Sequence, residues 1–499
     1  MLNKTSKKNI LYIHPYCNKD NSDFVFLPGG IIGVINNLRK KGFKVIGVNL
    51  PLEMKLNRNI DIKETLKEID FQIVIMDCHW YYFLYGVQEV ARVCKEINPK
   101  CYVIIGGFSA NFFRKNILTS SDNIDVIIKG DSETLLPKIC NDIISEGKKS
   151  IKKFPNVSYE NVFWFMADKE IKSFDNDINK FDYVDMTFMK HWQEYLKFHP
   201  GKEAPGISQI VGNKQFFYLP TQKGCKNLCP ACGGSKFSYK ILSNKKELCV
   251  RSPEKIINDI KKLKDMGVKN VMVSCESNLN NWPKILKELE RENIFIDILF
   301  EDWQLPNKKL TKQMVSYAKN TDSGFLVSAL SGNDIIRIKN GKHYKNKELS
   351  EFAKSISKSC SSYATFWFSP NLVGGTQKYF QDTILLAKEL TELNKFAEKP
   401  NINVLMSPME VDITSDVYSN PSSYKFSGKL WGYDYIIKLL RFREQGKKLG
   451  NMSYCSKEIN IEEGNKMCEK FKEEISLLKN RIRDFRKSGI FPTTKTLIE

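Results

Sequence analysis

Apolar and polar positions follow two rhythms over the first 150 residues. Short apolar runs at Asn9 to His14, Lys44 to Val48, Phe71 to Met76, Tyr102 to Ile105 and Asp125 to Ile128 read as strands. Helical periods lie between them: Ile31, Ile32, Val34, Ile35 and Leu38 form a stripe that stops at Lys41-Gly42, and Val87 to Ile97 forms another. This alternation predicts a doubly wound parallel sheet. Ligands of such sheets bind beyond the carboxyl ends of the strands, which points to the loops at His14 to Gly30, Asp77 to Gly86, Gly106 to Ala110 and Gly130 to Glu133. Gly106-Gly107 and Gly130 let backbone approach a ligand closely, although each alone also fits a plain turn.

Residues 151–210 carry little regular pattern, and Asp182-Tyr183-Val184-Asp185-Met186 reads as a connector draped over its neighbours. Phe216 to Pro220 then reads as a buried strand feeding a loop. Arg251-Ser252-Pro253-Glu254 opens a helix with Ile256, Ile257, Ile260 and Leu263 as its stripe, and Val268 to Val273 is the next strand. That order is how a partial α/β barrel begins, with its reactive loop at the carboxyl end of the first strand. From about residue 430 the pattern becomes Lys-rich amphipathic helix, including Met467 to Phe485 with Phe471, Ile475, Leu478 and Ile482 at helical spacing, a stripe that predicts packing.

The loop after Pro220 holds Gly-Cys-Lys-Asn-Leu-Cys-Pro-Ala-Cys-Gly-Gly-Ser, with Cys225, Cys229 and Cys232 in a C-x-x-x-C-x-x-C spacing. Three soft thiolates on one short loop suit three corners of an iron-sulfur cube and leave the fourth iron open. Zinc is the competing metal, but it normally needs a fourth ligand and favours C-x-x-C pairs, and no second pair follows.

The spacing and its setting resemble the radical S-adenosylmethionine (SAM) superfamily. The resemblance implies that Cys225, Cys229 and Cys232 hold a 4Fe-4S cluster, that SAM chelates the open iron, and that an electron from the cluster cleaves SAM to a 5'-deoxyadenosyl radical. It extends loosely over residues 214–415, through Leu326 to Gly332, Phe366-Trp367-Phe368, Asn371 to Thr376 with a helix over Phe380 to Leu393, and Met406-Ser407-Pro408-Met409. It places Gly233, Glu276 and Ser328 at SAM, with Glu276 at the amino group and Ser328 at the carboxylate; Glu276 also fits a helix N-cap or an exposed loop acid. Ala231 stands where the family usually has an aromatic residue, so packing against the adenine must come from elsewhere. Leu330 stands where a Glu often precedes Ser-Gly.

Placed directly before this loop, residues 5–145 resemble the cobalamin-binding domain of cobalamin-dependent radical SAM enzymes. The resemblance implies cobalamin contacts at Gly29, Gly30, Gly106, Gly107, Ser109, Gly130 and Glu133. The Asp-x-His-x-x-Gly signature of a lower cobalt ligand is absent after the first strand, and Asp77-Cys78-His79-Trp80 follows the third strand with no glycine three residues beyond His79. His14 and His79 are the only histidines in this region, so cobalt is expected to lack a lower histidine. The cluster Trp80, Tyr81, Tyr82, Phe83 and Tyr85 is expected to face the next domain or to wall the lower corrin face.

The expected fold class is therefore α/β: an N-terminal doubly wound parallel sheet over 1–150, Rossmann-like and cobalamin-binding, a connector over 151–210, a partial (β/α)6 radical SAM barrel over 211–425 and a helical C-terminal region over 426–499. At 499 residues and 42% hydrophobic content the chain can bury two or three cores, and no apolar run approaches the ~20 residues of a membrane span. The start Met-Leu-Asn-Lys-Thr-Ser-Lys-Lys lacks a signal peptide's apolar segment, so a cytoplasmic protein is expected, and thirteen scattered cysteines suit a reducing compartment. Ten of them, such as Cys94, Cys140 and Cys360, read as ordinary small residues. Lys and Arg outnumber Asp and Glu by 77 to 57, yet the basic residues are interspersed with acids and form no Arg-rich or aromatic-interleaved patch, which speaks against nucleic acid. A basic surface equally suits an acidic reducing partner such as flavodoxin or ferredoxin.

The resemblance implies a methyltransferase that moves a methyl group from SAM, via methylcobalamin, to a carbon of a small molecule or peptide. The alternative within the family is a rearrangement or ring-forming reaction without methyl transfer. An RNA methylthiotransferase would need extra amino-terminal cluster cysteines, which do not occur at suitable strand ends. A zinc-bearing interaction protein is the non-enzymatic alternative.

Overall fold

The computed structural model describes residues 9–17, 25–154, 157–159, 177–197, 215, 217–243, 247–359, 361–444 and 452–487. Phe216, Cys360 and much of the 151–210 connector lie outside the described residues. The first sheet is built from β1 (Asn9–His14), β2 (Lys44–Asn49), β3 (Ile73–Asp77), β4 (Tyr102–Gly106), β5 (Val126–Ile128) and β6 (Val157–Tyr159), in the order β2-β1-β3-β4-β5-β6. β1 to β5 pair in parallel, and β6 adds an antiparallel edge that the strand-helix alternation did not foretell. Along β1, Ile10 and Tyr12 join one apolar core while Leu11 and Ile13 join another. Burial on both faces explains why these strands read as continuous apolar runs rather than as alternation.

The short pairs β7 (Phe217–Tyr218), β8 (Gln222–Lys223) and β9 (Cys249–Val250) follow, with β8 and β9 forming a small antiparallel ribbon around the cysteine loop. The second sheet comprises β7, β10 (Asn270–Cys275), β11 (Asp297–Asp302), β12 (Gly324–Leu330), β13 (Tyr363–Phe368) and β14 (Ile402–Met406), all parallel, in the order β14-β13-β12-β11-β10-β7. Val271, Ile298, Phe300, Phe325 and Phe366 pack outward against helices, whereas Met272, Leu299 and Leu326 form an inner cluster with Tyr218, Tyr363 and Trp367. This is the half-open barrel expected from the strand-loop-helix-strand order. Its first crossover helix, Pro253–Asp265, begins at Ser252, whose hydroxyl accepts from Lys255 N, with Pro253 in the first turn where its missing N–H costs nothing.

The chain after β14 turns back to the first sheet. Val411, Ile413, Val417, Tyr433, Ile436 and Leu440 share a core with Leu11, Val74 and Ile105. The aromatic run after β3 meets this segment: Tyr81 contacts Trp431 edge-on, Tyr82 donates to Glu410 at 3.2 Å, and Arg441 lies 5.7 Å from the Tyr85 ring. The helix Ile461–Lys487 buries Phe471, Ile475 and Ile482, as its stripe predicts, with Phe471 against Phe368 of β13. Among the described residues no helix is long and apolar enough to cross a membrane.

Candidate active site between the two sheets

The carboxyl ends of both sheets open on one cavity of about 1080 Å³. The cysteine loop lies at its edge, tied by backbone bonds from Cys232 N to Cys229 O at 3.2 Å and from Lys236 N to Asn227 O at 2.9 Å. Two backbone donors reach sulfur: Asn227 N to Cys225 Sγ at 3.4 Å and Gly234 N to Cys232 Sγ at 3.3 Å. Desolvation, with the Asp412 carboxylate adding to it, pushes the Cys232 thiol up; desolvation likewise raises Cys225, and the backbone donors oppose the rise. Gly341, in the left-handed region at φ +85°, lets another loop pass close, since a Cβ there would stand 2.5 Å from Cys229 Sγ. From the far end of the chain Asp412 accepts from Gly233 N at 2.6 Å, Thr414 Oγ1 donates to Gly233 O at 3.0 Å, and Val417 N donates to Pro230 O at 3.0 Å.

The first sheet contributes a glycine-lined wall. Gly29, Gly30, Gly106, Gly107 and Gly130 all line the cavity. Gly107 has φ +107°, and a Cβ there would lie 2.8 Å from the Cys78 carbonyl and the His79 nitrogen, so the β4 turn can pass the β3 turn only as glycine. Asp77 at the end of β3 accepts from Tyr12 OH at 2.7 Å and pairs with His14 Nδ1 at 3.0 Å, and all three are buried. His79 lines the cavity between the Phe108 ring, 4.4 Å away, and the Trp80 ring at 5.0 Å; burial lowers its pKa to about 4, which keeps the imidazole neutral. Lys223 reaches across from β8 to Asp131 at 2.9 Å and Glu133 at 2.6 Å, joining the cysteine loop's ribbon to the first sheet.

The second sheet contributes Ser274, Glu301, Trp303, Ser328, Leu330 and Trp367. Leu330 has φ +58°, an uncommon conformation for a branched residue, at a register shift between β12 and β13. Lys342, only 6% exposed, also lines the cavity, and its ammonium has no hydrogen bond or ion pair among the described residues. Next to Glu301, Asp302 is buried, accepts from Ser277 N at 3.0 Å and leaves Oδ2 unpartnered; desolvation pushes its carboxyl up to about 7.

The residues singled out in the sequence thus fall into two groups. The three cysteines, Gly29, Gly30, Gly106, Gly107, Gly130, Glu133 and Ser328 all face the cavity. Glu276, Gly233 and Ser109 do not. Glu276 is buried against the cysteine loop, bonded to the Asn227 amide and paired with Lys226 at 2.5 Å. Gly233 takes the close approach of Asp412, and Ser109 donates back to His79 O at 3.0 Å. Sequence reasoning missed Lys342, Lys223, Glu301 and Asp412. An acid pair closing an apolar run, Phe300-Glu301-Asp302, was the one signal available for Glu301; the others are single charges in loops.

No protein-family model matches the chain. A stretch of 213 residues, 42% of the chain, is 22% identical to anaerobic magnesium-protoporphyrin IX monomethyl ester cyclase of Cereibacter sphaeroides. A stretch of 248 residues, 48% of the chain, is 23% identical to hopanoid C-3 methylase of Methylococcus capsulatus. These matches span 31% and 41% of the two proteins' own lengths. Among solved structures, the radical SAM methyltransferase TsrM of Kitasatospora setae, with cobalamin and a [4Fe-4S] cluster bound, superimposes with a TM-score of 0.61 at 12% identity, over 83% of this chain and 77% of that one. The cobalamin-dependent SAM radical enzyme OxsB, with aqua-cobalamin and SAM bound, gives 0.56 at 12% identity over 96% and 71%. The structural neighbours are thus cobalamin-dependent radical SAM enzymes, and this chain has their fold.

Proposed function

We propose that this protein is a cobalamin-dependent radical SAM enzyme and, within that class, a methyltransferase acting on a carbon of a small molecule or peptide. The observation that supports this most is the shared cavity, which brings three thiols on one loop opposite a glycine-lined wall and beside the mouth of a half-open barrel. The donor set fits a 4Fe-4S cluster held by Cys225, Cys229 and Cys232: the sulfurs share one loop, and backbone N–H groups aimed at two of them favour the thiolate form that iron requires. The wall formed by Gly29, Gly30, Gly106, Gly107 and Gly130 fits a broad ring held against backbone, as cobalamin would be, with Glu133 held by Lys223 beside it. When bound, the cluster would supply the electron that cleaves SAM, and cobalamin would carry the methyl group.

The chain's own part is placement. Glu276 fixes Lys226 and Asn227 within the cysteine loop, and the Asp412 segment holds the loop at Gly233. The rings of Trp80, Tyr218, Trp303 and Trp367 line the space between the sheets. Burial raises the carboxyls of Glu301 and Glu410 above their ordinary range. A reduced flavodoxin or ferredoxin, acidic where this chain is basic at +20, would deliver the electron. The 22% identity to a cyclase supports the ring-forming alternative.

Anaerobic purification with iron, sulfide and cobalt analysis tests the reading. A full 4Fe-4S complement with stoichiometric cobalt is expected, and Cys225→Ala, Cys229→Ala or Cys232→Ala abolishes both the iron and SAM cleavage, while Cys94→Ala keeps the iron. A triple variant that retains the cluster sinks the assignment. A product heavier by one methylene unit identifies methyl transfer, and a product without that gain, of equal mass for a rearrangement or two hydrogens lighter for an oxidative ring closure, points to the alternative.

A further inference from the structure

The register of the second sheet turns one carboxylate into an otherwise ring-lined recess. Glu301 pairs with Ser274 on β10 and with Leu326 on β12. Alternation along β11 puts Leu299 and Glu301 on one face, the face on which Leu299 packs with Met272 and Leu326, and Trp303, just beyond the strand, lines the same cavity. Around Glu301 in the cavity stand Tyr218, whose ring meets Phe26 edge-on at 5.3 Å, and Trp303 and Trp367; the Trp367 indole N–H already donates to Ser407 Oγ at 2.7 Å. Ser274 stands opposite Glu301 in the β10–β11 register, and among the described residues no Lys, Arg or His lies within ion-pair distance of the carboxylate.

The charges facing the cavity bias it towards a cation. Lys223 is matched by Asp131 and Glu133. Lys342 lines the same cavity, and its charge favours the ionised form of Glu301 and of Cys225 without an ion pair to either among the described residues. Glu410 and Asp412 add negative charge along the rim. A carboxylate among rings and methyl groups is costly unless a ligand brings a partner, and aromatic faces themselves attract cations.

The geometry points to Glu301 as the residue that binds an ammonium or other cationic nitrogen of the substrate, with Tyr218, Trp303 and Trp367 around it. The substrate class is then an amine-bearing small molecule or a peptide amino group, not an acid or a plain hydrocarbon. This rests on the cavity being the active site proposed above and adds the chemistry of what enters it.

Three probes share one skeleton and differ in charge: phenethylamine, 2-phenylethanol and phenylacetate. Titrated into the anaerobic holoprotein and followed by saturation-transfer NMR, the amine binds at least about tenfold tighter than the alcohol, the range of a charge-assisted hydrogen bond, and phenylacetate binds weakest. Glu301→Gln erases the preference, Lys342→Met keeps it, and Trp303→Leu weakens the amine about threefold or more while moving the alcohol less. A wild-type protein without amine preference, including one that binds none of the three, overturns the assignment, as does a preference that survives in Glu301→Gln. Iron and cobalt measured on the same samples separate the two ideas. Full cofactor content without amine preference removes only the subsite, and amine preference without cofactors removes only the catalytic reading.

Discussion

At the first sheet His14, Asp77 and Tyr12 close on one another, and Asp131 and Glu133 close on Lys223, so the charged groups at that end already have partners inside the protein. At the second sheet, among the described residues, neither the Lys342 ammonium nor Glu301 has an ion-pair partner, and Asp302 has an unpartnered oxygen. Both ends reach the same cavity region, so the contrast is a division of labour. A surface whose polar groups are already satisfied suits a bulky ligand held by shape and backbone, whereas an end with open charges suits small charged ligands that come and go.

The most damaging test of this contrast is Asp77→Ala, which takes the shared carboxylate from buried His14 and Tyr12. A loss of about 2–4 kcal/mol is expected, read as a lowered denaturant midpoint at unchanged slope. A neutral outcome would show that the first sheet does not depend on its internal pairing. Next is Gly107→Ala, where φ +107° and a 2.8 Å approach to backbone cost about 1–3 kcal/mol, with cobalt content falling while iron is kept. Equal loss of iron and cobalt would mean that the two ends are not separable.

Asp302→Asn probes the other side of the contrast. Its carboxyl stands near 7 in the folded protein against an ordinary 3.8, so between those values the folded state holds a proton that the unfolded chain has released. Stability conferred by that proton is present at the acid end and is lost as pH rises through 7. The variant is therefore expected to have a higher Tm than the wild type at pH 8, with the gap closing towards pH 4; a gap that is constant with pH argues against a titrating Asp302. The smallest effect is His79→Ala. With His14 bound to Asp77 and His79 held between Phe108 and Trp80, bound cob(II)alamin is expected to show no nitrogen superhyperfine splitting in electron paramagnetic resonance, before or after the substitution. A three-line pattern lost on substitution would make His79 a ligand and the first sheet less finished than it looks.

The strands were readable because burial on both faces leaves long apolar runs, and the cysteine loop because three thiolates at one spacing admit few chemistries. β6 was not readable, since an antiparallel edge of three residues carries no period of its own. Glu276 shows the limit of transferring roles by position: its place at the end of β10 follows from the strand pattern, but whether it meets the cavity or the cysteine loop depends on where Asn227 and Lys226 lie, about fifty residues earlier in the chain. Lys342 and Asp412 were invisible for the same physical reason. A charge in a loop reveals nothing until the groups brought near it by the fold are known: Asp412 meets Gly233, 179 residues earlier in the chain, and Lys342 meets the cavity.

The bond between Gly233 and Asp412 spans 179 residues of chain. In synthesis from the amino end, the three thiols therefore emerge long before the carboxylate and hydroxyl that brace their loop. The motif is local, but the geometry it needs is assembled last. Until the segment carrying Asp412 and Thr414 is made, the loop lacks the two side chains that hold Gly233 on both its backbone polar atoms.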